Sequence, residues 1–240
     1  MKHSEQQCNR RRGFTLVELM VVIVIIAIIL GITAPAFQRL ATGNAVDSAA
    51  RMVSSQLSLA RAEAVSRRQY IAVIMPGDTF SQDTANDTNI YRYQSFRAAV
   101  VTPSGTTNEY TFVQWVEGTD WTFLPTGALI AEVDDDVDEL TATDPRVPVG
   151  AGSTWTVGDG TCHQVDDGAS PAKIFDVASV SNSDVRAVVF KPNGRCASRI
   201  YVTAMEGVVT TPAGVIERAN QSNIRVMEIN AYTGQIRFLY

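Results

Sequence analysis

The chain has 240 residues, 45% of them hydrophobic and 19% charged, which is enough for one sizeable domain with its own core plus an appended element. That balance excludes disorder throughout. The formal net charge of -5 is unevenly spread: residues 1–13 sum to +3, 14–69 to +2, 70–172 to -13 and 173–240 to +3, which excludes a generally basic nucleic-acid footprint and leaves room only for a local basic patch in the last third.

At the N-terminus, Arg10, Arg11 and Arg12 abut an apolar run. From Leu19 to Ile32 every residue is apolar or glycine, and Phe14 to Val17 bring the run to the length of about 20 residues that a bilayer span needs. Arginines before the run and none inside it orient the N-terminus toward the cytoplasm. Glu18 is the sole charge within, where a carboxylate costs about 2.5–3.5 kcal/mol on insertion scales. Two export signals compete with an anchor. One is a secretory signal peptide ending at Ala34-Pro35-Ala36, and the other a twin-arginine signal around "RRGFTL". Neither has a use for Glu18.

Beyond the run, Val46, Ala50, Val53, Leu57, Ala60 and Ala64 recur at spacings of four and three, one face of an amphipathic helix. Pro35 and Gly43 are its weak points. The expectation is one long helix, naked in its first half and half-buried in its second. After Arg68 the pattern turns to strands: "YIAVIM" at 70–75, "IYRYQSF" at 90–96, "EYTFVQWV" at 109–116 and "WTFL" at 121–124. "RAVVFKPNGRC", "SRIYVTAM" and "IRVMEINAYTGQIRFLY" follow, with "KPNG" and "YTGQ" as hairpin turns. The fold class is therefore α+β, a long N-terminal transmembrane and amphipathic helix packed on an antiparallel β-sheet domain.

Candidate chemistry is sparse. Cys162 and Cys196 form an even pair once Cys8 is removed with a leader, and export to an oxidising compartment makes a disulfide the natural reading; two buried thiols are the alternative. Closing that loop would contribute about 3–4 kcal/mol in the chain-entropy model. "EVDDDVDEL" at 132–140 could offer carboxylates from 134–139 to a hard cation, but the calcium-loop spacing fails, and a solvated acidic loop is expected with no metal. One histidine, His163, lies outside the leader, so neither a Ser-His-Asp set nor a zinc site assembles. No enzyme and no cofactor are expected. Arg195 and Arg199, with Lys191 and Arg186 nearby, are the best basic cluster for a nucleic acid, which is not expected as a partner because aromatic interleaving is thin.

"RRGFTLVELMVVIVIIAIIL" resembles the N-terminal processing and methylation signal of type IV pilins and type II secretion pseudopilins. The resemblance implies that a prepilin peptidase cuts between Gly13 and Phe14 and methylates Phe14. It also implies that Glu18, fifth in the mature chain, meets the Phe14 amine of a neighbouring subunit during assembly, and that Pro35 weakens the helix. "LSLARAEAVSRRQYIAVIM", "FKPNGRC" and "VMEINAYTGQIRF" further resemble the GspH/FimT branch of minor pseudopilins. Four segments follow: a leader over 1–13, a transmembrane half-helix over 14–36, an amphipathic half-helix over 37–69 and a periplasmic β-rich domain over 70–240. The function this implies is a structural subunit of the type II secretion pseudopilus, anchored in the bacterial inner membrane. The prepilin peptidase, other pseudopilins and an inner-membrane assembly platform would be its partners. The alternatives are a type IV pilus minor pilin, in which the branch's DNA capture would fall to Arg195 and Arg199, and an exported soluble protein.

Overall fold

A computed structural model describes residues 16–77, 91–134, 163–166, 185–210 and 215–239, with 32–43, 164, 209–210 and 215–222 described by backbone alone. The chain divides into two compact units, residues 1–41 and 42–240. A single α-helix, α1 (Leu16–Arg67), is continuous through Pro35 and Gly43. It ends with Arg68 in the left-handed region, φ 55°, and the Gln69 amide donates to the Ala64 carbonyl at 3.3 Å. That is a Schellman stop made without the usual glycine. Glu63 and Arg67 pair across its last turn at 2.6 Å.

In the second unit, β1 (Tyr70–Ile74), β2 (Ser95–Pro103), β3 (Glu109–Trp115), β6 (His163–Asp166) and β7 (Val185–Phe190) form one sheet, to which β4 (Thr122–Phe123) is attached along β2. β1 pairs with both β2 and β7, β7 with β6, β6 with β3 and β3 with β2. The five pairings return to their start, so the strands close into a small ring. All of them are antiparallel except β3–β6, which is parallel. β5 (Ala128–Asp134), β8 (Ile200–Thr210), β9 (Val215–Ile229) and β10 (Ile236–Phe238) make a second, antiparallel sheet in the order β10-β9-β8-β5. The expected single antiparallel sheet is thus two sheets with one parallel pairing, and the class is α+β.

The helix face expected from its periodicity is the buried one. Val46, Ala50, Val53, Leu57, Ala60 and Ala64 are all essentially inaccessible and share a core with Ile71 and Val73 of β1, Phe190 of β7, and Val202 and Met227 of the second sheet. Because side chains alternate along a strand, Ala72, Ile74, Val101, Phe112, Val165 and Val189 point the other way and fill the ring. A third cluster, around Leu129, Tyr201, Ile224 and Val226, lies on the opposite face of the second sheet.

Two strand expectations and one loop expectation change. "IYRYQSF" does not form a strand up to Phe96: Tyr93 takes φ 59°, which breaks the extended path, and the strand runs instead from Ser95 to Pro103. β5 lies where no strand is expected, and it takes in the start of the acidic run. Glu132 is 6% exposed and Asp134 1%, so the run begins inside a strand rather than in a solvated loop. The apolar Ala128–Ala131 stretch carries the extended conformation into it, with a bulge between Ile130 and Glu132. Residues 135–140 lie outside the described residues.

Candidate functional site

Among the described residues, the first unit presents the most exposed apolar surface. Leu16, Val17 and the isoleucines, valines and leucines through Leu30 are all more than two-fifths exposed, and they occupy every side of the helix. Glu18 sits among them in the first turn, where a carboxylate also complements the amino end of the helix. The described apolar stretch, 16–31, spans about 24 Å at 1.5 Å per residue. Among the described residues no helix is long and apolar enough to cross a membrane. Gly13 and Phe14 precede the described residues, and Pro35 is described by backbone alone.

The expected basic cluster keeps Arg195 and Arg199 at the surface and loses Arg186. Arg195 is exposed on the turn after β7, where its amide is held by Asn193 Oδ1 at 3.1 Å. Arg199 is exposed but pairs with Glu228 at 3.6 Å. Arg186 is not a surface residue. It is 1% exposed, and its guanidinium donates to the carbonyls of Met75 (2.9 Å), Ile130 (2.7 Å) and Ala131 (3.0 Å) over the Tyr93 ring. The Pro76 carbonyl also accepts from Arg186, at 3.4 Å, and Arg92, also buried, donates to the one after it, that of Gly77. These two arginines tie the end of β1 to β5 and β7, a role that charge counting along a strand misses because β7 is buried on both faces.

His163 is fully buried. Its Nδ1 accepts the Val189 amide at 3.0 Å, which leaves the ring proton on Nε2, 3.0 Å from Ser198 Oγ. Burial, reinforced by Lys191, lowers its pKa to about 3. A neutral ring that donates to the serine cannot also take the serine's proton, so the pair holds the fold without activating a nucleophile. Tyr110 packs its ring edge-on against His163, and burial raises its phenol to about 12. Cys196 is a buried thiol that donates to the Val189 carbonyl at 3.4 Å, and burial raises it to about 12. Cys162 lies outside the described residues. Among the described residues no group of three or more His, Cys, Asp or Glu is placed to hold a metal ion.

The chain carries the prokaryotic N-terminal methylation motif over residues 8–34. No curated protein matches it in sequence. Among solved structures it is similar to the type IV minor pilin FimU of Pseudomonas aeruginosa, at 14% identity and a TM-score of 0.40, covering 82% of this chain and 90% of that one. It is also similar to the minor pseudopilin EpsH from the type 2 secretion system of Vibrio cholerae. That match has 14% identity and a TM-score of 0.39, covering 81% of this chain and 95% of that one.

Proposed function

We propose that this protein is a minor pseudopilin, a non-enzymatic structural subunit of a type II secretion pseudopilus. The observation that carries the reading is the methylation motif over residues 8–34. In it, cleavage after Gly13 would leave a cationic amine on Phe14, four residues before Glu18. The two would share a helix face about 6 Å apart along the axis, which lowers the cost of a carboxylate in lipid. Between neighbouring subunits, the same pair would act as a register device, because a misplaced neighbour leaves a charge unpaired in hydrocarbon.

On this reading residues 1–13 are a leader, 14–36 anchor the chain in the inner membrane, and the domain that follows faces the periplasm. Pro35 marks a weak point in the helix, and the partners are the prepilin peptidase, other pseudopilins and an assembly platform. In an oxidising periplasm the Cys196 thiol would give up its hydrogen bond to the Val189 carbonyl and pair with Cys162, which thiol alkylation with and without reductant measures.

The test is mass spectrometry of the protein purified from membranes of its own host. A chain that begins with N-methylated Phe14 is the expected result, and one that begins at Phe37 or retains its leader overturns the reading. Co-isolation with a type IV pilus instead of secretion components would overturn the pseudopilus assignment and keep the subunit.

A further inference from the structure

The two hairpin turns singled out in the sequence, "KPNG" and "YTGQ", meet at one side chain of the helix. Arg61 Nε donates to the carbonyl of Gly194 at 3.0 Å. Gly194 closes the turn that follows β7, with its amide on Lys191 O at 2.9 Å and the Lys191 amide on Arg195 O at 2.8 Å. Gly234 closes the turn between β9 and β10, with its amide on Asn230 O at 2.8 Å. Each turn is stiffened from within, the first by Asn193 Oδ1 and the second by Asn230 Oδ1, which accepts the amides of Tyr232 and Thr233. Both glycines are in the left-handed region, at φ +77° and +63°. A Cβ on Gly234 would stand 2.2 Å from Gly194 O and 3.0 Å from Arg61 Nε, and one on Gly194 would stand 2.9 Å from Val65 Cγ2. One carbonyl oxygen is therefore gripped between the helix, a turn of the ring and a turn of the second sheet.

Besides the partly exposed pair of Asp47 with Arg225, the rest of the helix contact is mainly apolar. Its buried face is built from Ala45, Val46, Ala49, Ala50, Val53, Leu57, Ala60 and Ala64, mostly small side chains at near-repeating intervals. Ala45 and Ala49, and Ala60 and Ala64, are interchangeable one turn apart, whereas Leu57 is not, so apolar packing, which is non-directional, fixes the seat less sharply than a directed bond. A hydrogen bond into a fixed carbonyl does discriminate. We infer that Arg61 is a positioning residue that keys the helix to both sheets at once, and that Gly194 and Gly234 are glycines because only they let the two turns close on it. This inference concerns residues 42–240 alone and stands whichever filament the protein enters.

The test uses the full chain in detergent, with spin labels attached at Leu59 and Tyr232 through unnatural amino acids, which spares the native cysteines. Both positions are exposed, at 58% and 74%. The readout is the distance distribution between the labels in the wild type, Arg61→Met and Arg61→Gln. Methionine matches the length of the arginine stem without a donor, whereas glutamine places an amide nitrogen at the same bond position as Nε without the charge. Arg61→Met is expected to broaden the distribution. Arg61→Gln is expected to keep the wild-type distance. A wild-type distribution in Arg61→Met overturns the inference, and so does an Arg61→Gln that behaves like Arg61→Met. If Arg61→Met fails to fold, a folded Arg61→Gln at the wild-type distance supports it, and joint failure of both overturns it.

Discussion

Two stretches of the same helix behave in opposite ways. Over 16–31 it is apolar on every side and every side is exposed; over 44–67 it is apolar on one side, and that side is closed off by the chain's own strands. Backbone hydrogen bonding is the same in both, so helix formation does not distinguish them. The difference lies in where the apolar surface can go. A helix that is hydrophobic all round belongs in lipid or in the middle of a bundle, and among the described residues of the first unit none covers it. The second stretch buries its apolar side against its own chain, whereas the described residues of the first leave theirs exposed.

Changes in the first stretch should therefore alter assembly and leave the stability of the domain untouched, and changes in the second should do the reverse. The largest effect is expected from Glu18→Ala. Membrane insertion and leader cleavage should persist, because removing a carboxylate eases entry into lipid. Incorporation into the filament, followed by shear fractionation and immunoblotting, should fall below detection. Normal incorporation would remove the register argument.

Next in size is an acid effect on the domain. His163 has a pKa near 6.5 when unfolded and about 3 when folded, so the unfolded chain takes up the proton first. Its contribution is whole above about pH 6.5 and is lost as the pH falls toward 3, a change of about 4–5 kcal/mol at full development. Denaturant melts of the wild type and His163→Gln should show the variant with a flatter dependence across that window. Parallel curves would place the acid sensitivity elsewhere.

A paired test within the helix comes third. Leu57→Ala should destabilise by about 2–5 kcal/mol, because Leu57 is fully buried. Leu59→Ala, two residues on and 58% exposed, should stay within about 0.5 kcal/mol. Equal losses would mean that the helix is seated on a different face. The smallest effect belongs to Arg225, whose 2.6 Å pair with Asp47 is about a third to a half exposed. Arg225→Ala should lose no more than about 1 kcal/mol, less in high salt.

The face that Leu57 buries was legible because 3.6-residue periodicity survives any tertiary arrangement. Most strands were legible for a similar reason, since β-branched and aromatic runs bounded by turn residues are local signals. β5 was not, because burial on both faces removes the alternation that marks a strand, and the acids at its end read as solvent-facing. Arg186 was misplaced by the same rule, since nothing local distinguishes an arginine that leaves a strand for water from one that turns inward to gather carbonyls. The parallel β3–β6 pairing joins residues more than 50 apart and has no local signature. At the N-terminus the proposed site is a linear one, in which Gly13, Phe14 and Glu18 would act by their order along the chain, so it is sequence that offers it. The meeting of Arg61 with Gly194 and Gly234 was hidden for the converse reason, as each half of it is an ordinary turn or helix residue until the fold joins them.

The closed ring of β1, β2, β3, β6 and β7 has a consequence for crowding. On the proposed reading, subunits held side by side in a membrane and then stacked into a filament would reach local concentrations at which an open strand invites indiscriminate pairing with the next molecule. A ring whose strands have one another as neighbours offers no such template. On the proposed reading, polymerisation would be governed by the helices and Glu18, with the ring as a chemically quiet passenger.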